Sequence, residues 1–304
     1  MKNGPAFHVS IRASLTALIV LAAAVPAAAQ DVSFSAYGEA EYVRSSGNSN
    51  DGISLGLSFT GEPGGLGLGG VGADASLRLV RVNGTNFYTI YAAPGIALGP
   101  SGKLSFGAPE PVMNTLYDGP VLGGIQQFDP LLRTTTGGLT DALYFTDVSD
   151  VPLGVRYDGT LGPVKFGASL HRLSDVDATT VELVARYPVG KLSFAGGMEI
   201  VNDGSTTESR FVLGGSADAG MWGGGLYYYD ESFVTGQSGL RGFVTYEPLD
   251  RVDLNGTILT QSGGDYLLGV SMDYSFGTFG FAQIGVVDGN TSDAAYDVSV
   301  GFRF

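Results

Sequence analysis

The chain contains no cysteine. That excludes disulfides and thiolate metal sites, on which small exported scaffolds commonly depend. Two histidines are present, His8 and His171, and the first falls in a segment read below as removed. A hydrolytic or zinc centre would have to be built around His171 alone, and no Gly-x-Ser-x-Gly elbow accompanies it. Charged residues make up 15% of the chain, against about 25% in soluble domains. Past the N-terminal segment, no run approaches the roughly 18 consecutive apolar residues of a helical membrane span. Positive charge is scarce as well: 16 Lys and Arg stand against 30 Asp and Glu, for a net charge of −14. Nucleic acid and anionic lipid surfaces, both of which need a basic face, are excluded as partners, whereas cations are attracted.

What is abundant is glycine, with 48 residues, together with 15 tyrosines and 17 phenylalanines. Lys2 and Arg12 precede an apolar stretch from Ala13 to Val25, and Ala27-Ala28-Ala29 follows it. The stretch is shorter than the about 20 residues of a spanning helix. The pattern is that of a secretory signal, residues 1–29, cleaved after Ala29, and the alternative is a retained N-terminal anchor. Residues 30–304 are then one domain of about 275 residues, long enough for a large all-β fold. Without Lys2 and Arg12 its balance is 14 basic to 30 acidic, or −16.

The mature chain alternates with period two almost throughout. Tyr296, Val298, Val300, Phe302 and Phe304 fall on one face of the last segment, opposite Asp297, Ser299, Gly301 and Arg303. Val32, Phe34, Ala36, Ala40 and Tyr42 oppose Ser33, Ser35, Glu39 and Glu41, and Tyr266, Leu268, Val270, Met272 and Tyr274 oppose Ser271 and Asp273. Few charges without a spanning helix leave one route into a bilayer. A closed barrel satisfies every backbone group between strands and needs only alternate residues apolar. The second face is small and polar, as a water-filled lumen requires. Candidate strands number 16, over 31–43, 51–60, 70–82, 86–98, 102–110, 151–159, 162–172, 178–188, 190–201, 207–217, 220–231, 238–247, 251–260, 265–276, 278–287 and 293–304.

Connections alternate in length. Tight turns fall at 99–102, 160–163, 188–190, 248–250 and 277–278, and longer polar loops at 45–50, 174–177, 202–206, 232–237 and 288–292. Short turns on one rim and longer loops on the other are how single-chain outer-membrane barrels are built. Aromatic residues at strand ends (Tyr42, Phe87, Tyr88, Tyr187, Tyr227 to Tyr229, Tyr246, Tyr274 and Phe276) suit the membrane–water boundaries, with Trp222. One connection breaks the alternation: Pro111 to Asp150, about 40 residues, a length that is usually functional. It carries Asp118, Asp129, Asp141, Asp147 and Asp150, with Arg133 as its only base, and its prolines and the pairs Gly123-Gly124 and Gly137-Gly138 suit a compact fold.

With the opening Asp31-Val32-Ser33-Phe34-Ser35-Ala36-Tyr37-Gly38, the strand count, the long third external loop and the closing Gly301-Phe302-Arg303-Phe304, the whole chain resembles the general porins of Gram-negative bacteria, especially the alphaproteobacterial type. The resemblance implies an outer-membrane protein, a homotrimer, through which small hydrophilic solutes and ions diffuse passively. It implies a third loop folded into the barrel and a terminal Phe304 read by the barrel assembly machinery. It implies, too, that loop acids face a basic wall. Here the matching acids are Asp118, Asp129 and Asp141. Lumen-lining positions by parity are Glu39, Glu41, Asp74, Arg78, Lys165, Arg186, Asp273 and Arg303, while Arg44 and Arg81 sit at strand tops. Glu39 and Glu41 stand where a basic ladder would be expected, which implies mild cation selectivity in place of a strong transverse field.

Other chemistry is weaker. Gly65-Leu66-Gly67-Leu68-Gly69-Gly70 has dinucleotide spacing but precedes a strand, not a helix. The Asn-Gly-Thr triplets at 83 and 255 match a glycosylation acceptor without a context that uses it. Asn48 to Asp51 and Asp288 to Asn290 offer oxygen ligands for calcium, which turn chemistry explains equally well. No cofactor and no enzymatic activity are expected. The competing readings are a solute-specific channel of the same architecture, a barrel-embedded enzyme built on His171 with an inward serine and acid, and a soluble exported β-domain such as an adhesin.

Overall fold

A computed structural model describes residues 32–45, 48–61, 70–82, 84–99, 102–146, 150–233, 235–290 and 293–304. Residues 1–29, read above as a secretory signal, most of the Gly65–Gly70 run, Asn83 and Asp147 lie outside the described residues. Sixteen strands follow one another: β1 Val32–Ser45, β2 Asn48–Gly61, β3 Val71–Val82, β4 Thr85–Ala97, β5 Gly102–Gly107, β6 Leu153–Leu161, β7 Val164–Leu173 and β8 Ala178–Val189 form the first half. The second half is β9 Leu192–Asn202, β10 Thr207–Asp218, β11 Trp222–Tyr229, β12 Gly239–Leu249, β13 Val252–Gln261, β14 Tyr266–Phe276, β15 Gly280–Gly289 and β16 Ala295–Arg303. Each pairs antiparallel with its sequence neighbours, and β1 pairs with β16, so the sheet closes and leaves no edge. At the seam Glu41 stands opposite Ser299 and Tyr37 opposite Arg303. Ala36 and Phe304 exchange backbone hydrogen bonds of 2.8 and 2.9 Å.

The faces are inverted relative to a soluble protein. On β14 Tyr266, Leu268, Val270, Met272 and Tyr274 are exposed, whereas Leu267, Gly269, Ser271 and Asp273 are buried. Val270 is 59% exposed and its neighbour Ser271 2%. Apolar side chains outward and polar ones inward on a closed antiparallel ring is the arrangement that lipid demands. A sandwich would bury the opposite face, and the soluble β-domain reading falls with this observation.

Turn chemistry closes the hairpins. Gly162 (φ 58°) and Gly190 (φ 61°) open the two-residue links β6–β7 and β8–β9, where the left-handed region matches strand twist. Asp203 binds the amides of Ser205 and Thr206 at 2.9 and 2.7 Å, and these bonds hold its carboxyl well below the usual range. The register of β12 on β13 shifts between Tyr246 and Leu249, at Pro248, which has no N–H to offer the ladder.

Two expectations are corrected here. Residues 45 and 48–50 continue β1 and β2 instead of forming a polar loop, because Arg44 and Ser45 pair with Ser49 and Asn48. Asn48 to Asp51 is therefore ladder, not a calcium-binding turn. Among the rim aromatics, Phe87, Tyr227 and Tyr229 point inward: Phe87 stacks on Phe145, and Tyr227 and Tyr229 are 0% and 3% exposed. Tyr42, Tyr187, Trp222, Tyr274 and Phe276 do face out, and Trp222 stacks on Tyr246 at 4.0 Å.

Candidate functional site

Between β5 and β6 the chain forms three single 3₁₀ turns, Val112–Thr115, Leu122–Gly124 and Gln126–Phe128, then helices α1 (Asp129–Thr136) and α2 (Leu139–Phe145). The first turn touches β7, β8 and β9, the second β13, β14 and β15, and the third β2 and β3, while α2 packs on β4. A segment that reaches strands on every side of a closed ring runs across its interior. Pro130 sits in the first turn of α1, where its missing N–H costs nothing.

The inner wall seats this segment with apolar residues. Leu122, Ile125 and Leu132 pack on Val43, Leu259, Leu267, Val287 and Ala295. Met113 and Leu116 pack on Ala195, Val212, Tyr227 and Tyr229, and Leu139 and Leu143 on Leu173, Ala178 and Val201. Parity alone assigns these wall positions to polar residues. The sequence does carry a signal, in apolar doublets that interrupt the alternation: Ile258-Leu259, Leu267-Leu268 and Val286-Val287. Gly123 (φ 57°) comes so close to β15 that a Cβ there would lie 2.7 Å from the Val286 carbonyl oxygen. Only glycine fits both that conformation and that approach.

Polar bonds complete the attachment. Glu182 accepts from the Met113 amide (3.0 Å) and from Ser169 (3.1 Å). Glu199 accepts from the Leu139 amide (2.8 Å) and from Arg210 Nε (2.9 Å), and Arg210 also donates to the Gly137 carbonyl. Gly123 N donates to Thr257 Oγ1 (2.9 Å), and Gln126 N to Glu41 Oε1 (2.5 Å). Glu182, Glu199 and Arg210 are buried. Parity alone would have placed all three inside, but the sequence gives no means of linking them to a loop so distant in the chain.

Each loop acid expected to face the lumen has a cationic partner. Asp118 binds Arg186 (2.7 Å) and accepts from Tyr227 (2.9 Å). Asp129 binds Arg133 Nε (2.8 Å) and Arg78 (3.0 Å), and Asp141 binds Arg133 and accepts from Tyr91 (2.9 Å). Burial by itself would raise the Asp129 pKa, but the Arg133 and Arg78 charges outweigh it and hold it below the usual carboxylate range. Burial opposes the Arg133 charge, yet Asp129 and Asp141 outweigh it and raise its pKa further. Arg241, absent from the sequence-derived set, stacks on Tyr117 (3.5 Å to the ring centroid) and bonds Thr136 (3.3 Å). Burial raises the Tyr117 phenol against the lowering effect of Arg241.

On the turn side of the segment, a cavity of about 680 Å³ is lined by Asp74, Lys103, Glu110, Arg156, Asp158 and Lys165, among others. Lys103 pairs with Asp74 (2.9 Å) and Arg156 with Asp158 (2.7 Å). A second space of about 220 Å³ lies among Arg78, Tyr117, Asp129, Arg133, Asp141 and Arg241. Arg303 lies 3.7 Å from Asp253 and bonds Ser275 (3.0 Å), and Asp273 accepts from Asn255 (2.9 Å). Among the described residues, the buried wall acids Glu39, Glu41, Asp273 and Asp297, which form no ion pair, gather on β1, β14 and β16, while Glu182 on β8 is held by the Met113 amide and Ser169 in place of a base. The largest group of unpaired acids therefore lies on that wall, whereas Asp118, Asp129 and Asp141 of the loop are ion-paired.

His171 is fully buried at the root of the segment, its Nε2 2.9 Å from the Pro109 carbonyl. Ser169 donates to Glu182, so a serine–histidine relay is not assembled among these residues. Phe304 packs against Phe34, Phe279 and Phe302 at ring distances of 5.8, 5.7 and 6.3 Å.

No family model and no curated protein sequence matches the chain. Solved structures do. A triple mutant of the Rhodopseudomonas blastica porin is 15% identical with a TM-score of 0.62, covering 90% of this chain and 100% of its own. Another mutant of that porin gives 16% and 0.63 over the same shares, and a structure described as showing asymmetric conductivity of engineered proteins gives 16% and 0.61. At such identities the likeness speaks for architecture: this chain has the 16-stranded, transmembrane β-barrel fold of porins.

Proposed function

We propose that the protein is an outer-membrane porin, a water-filled channel for passive diffusion of small hydrophilic solutes and ions. The observation that carries the reading is a closed barrel, apolar outside and polar within. Its interior is crossed by one ion-paired segment and still holds a charge-lined cavity of about 680 Å³. A catalytic barrel needs a nucleophile open to substrate, and a plug needs a filled lumen; a narrowed polar passage needs neither. The segment 111–150 sets the constriction, and mild cation preference comes from Glu39, Glu41, Asp273 and Asp297, since the loop acids are paired. Residues 1–29 direct export, Phe304 marks the chain for the barrel assembly machinery, and three barrels associate in the membrane.

The experiment is single-channel conductance of detergent-purified mature protein in a planar lipid bilayer, with reversal potential under a salt gradient. Large steps in multiples of three and a reversal potential on the cation side support the reading. Stable insertion without conductance refutes it and returns attention to His171.

A further inference from the structure

The unpaired acids of the β1–β16 wall are not evenly spread. Glu39 and Glu41 are two residues apart on the inner face of β1, and Asp297 stands opposite Val43, diagonal to Glu41 across the seam. Carboxylate oxygens of all three lie within 4.8 Å of one another. The residues are 5%, 4% and 2% exposed, and among the described residues no Lys or Arg forms an ion pair with any of them. Three anions packed so closely, out of water and without a base, repel strongly.

A second observation concerns hydrogen bonding. Both oxygens of Asp297 and Oε2 of Glu41 have no partner. Gln283 of β15, opposite Ser299 and so diagonal to Asp297, is 7% exposed, and its Nε2 finds no hydrogen-bond partner within 3.5 Å. Buried polar atoms are normally satisfied, and unpartnered carboxylate oxygens gathered in one cluster are groups that a bound cation would satisfy. The neighbours that do bond, Ser299 to Glu39 and Gln126 N–H to Glu41, hold two carboxylates in place and leave Oε2 of Glu41 free.

We propose that Glu39, Glu41 and Asp297 bind a calcium ion on the lumen wall, with the Gln283 amide oxygen able to turn toward it. Calcium takes six to eight oxygens at about 2.3–2.6 Å, so two of its ligands stand at most about 4.6–5.2 Å apart, and three oxygens all within 4.8 Å of one another can share one such ion. Magnesium is less suited, because it demands a strict octahedron and retains its waters. The ion offsets two of three negative charges. It also fixes Glu41, and through it the Gln126 turn, to the wall. The site stands whether or not the barrel conducts.

The test is isothermal titration of CaCl₂ into folded, detergent-solubilised protein stripped with EGTA at pH 7. Wild type binds one calcium per chain at this site. D297N and E41Q each weaken it on the order of 10–100-fold or more, as expected when a ligand itself is altered. D288N, at an exposed position near the end of β15, leaves it intact. Heat-modifiable electrophoretic mobility verifies that each variant is folded, and E39Q replaces any that is not. Wild type that binds no calcium at millimolar concentration overturns the proposal, as does binding that D297N leaves unchanged; the three carboxyls would then share protons instead.

Discussion

Replacing Arg210 by methionine tests how the segment is held across the lumen. Arg210 and Glu199 have side chains 1% and 0% exposed and meet at 2.9 Å. Together they grip the joint between α1 and α2: Arg210 binds the Gly137 carbonyl and Glu199 the Leu139 amide. Removing the guanidinium strands Glu199 beside Glu182, whose Oε1 already lacks a partner. Breaking a buried pair from one side costs about 3–5 kcal/mol. At about 1.4 kcal/mol per tenfold, that is a change of roughly 150- to 4,000-fold in the equilibrium between seated and released segment. Native-state proteolysis reads that equilibrium where opening and closing outpace cleavage, and cuts should fall within 111–150 while the barrel keeps its folded mobility. R210M combined with E199L removes both charges, and to the Gly137 carbonyl that R210M already strands it adds only the Leu139 amide, at a cost of about 1–3 kcal/mol. The double variant should therefore be more protected than R210M alone. Protease resistance of R210M within about 0.5 kcal/mol of wild type, or strictly additive single and double changes, would refute the buried-latch argument.

The pH dependence of the same segment follows from Asp129. Its folded pKa is depressed by Arg133 and Arg78, so the stabilisation is complete above the unfolded value of about 3.9 and is lost as pH falls through the lower folded one. Protease protection should hold steady from pH 7 to about 4.5 and fall below about 3.9; D129N should be less protected at pH 7 and lose part of that acid limb. Phe304 is 54% exposed but closes the seam with two backbone bonds to Ala36. Deleting it should slow conversion to the folded electrophoretic form more than F304A does, because alanine keeps those bonds. Equal rates for deletion and wild type would remove Phe304 from assembly.

Period-two alternation by itself determined the barrel, because lipid and lumen impose opposite polarities on alternate residues over the whole ring. The links 160–163 and 188–190 were legible from glycine and proline, since backbone conformation there is a local matter. So was the excess of acids, which composition alone records. Pairing was decided only by the tertiary structure. Asp118 meets Arg186, Asp129 meets Arg78, and Gly137 meets Arg210 because closure brings distant strands round a segment whose own sequence has no period. For the same reason Asp118, Asp129 and Asp141 on the loop, conspicuous in the sequence, are neutralised, whereas Glu39, Glu41, Asp273 and Asp297 on the wall form no ion pair. Alternation fixes which face a side chain occupies. Which partner it finds there depends on the curvature and register of the closed ring, and no local pattern encodes that.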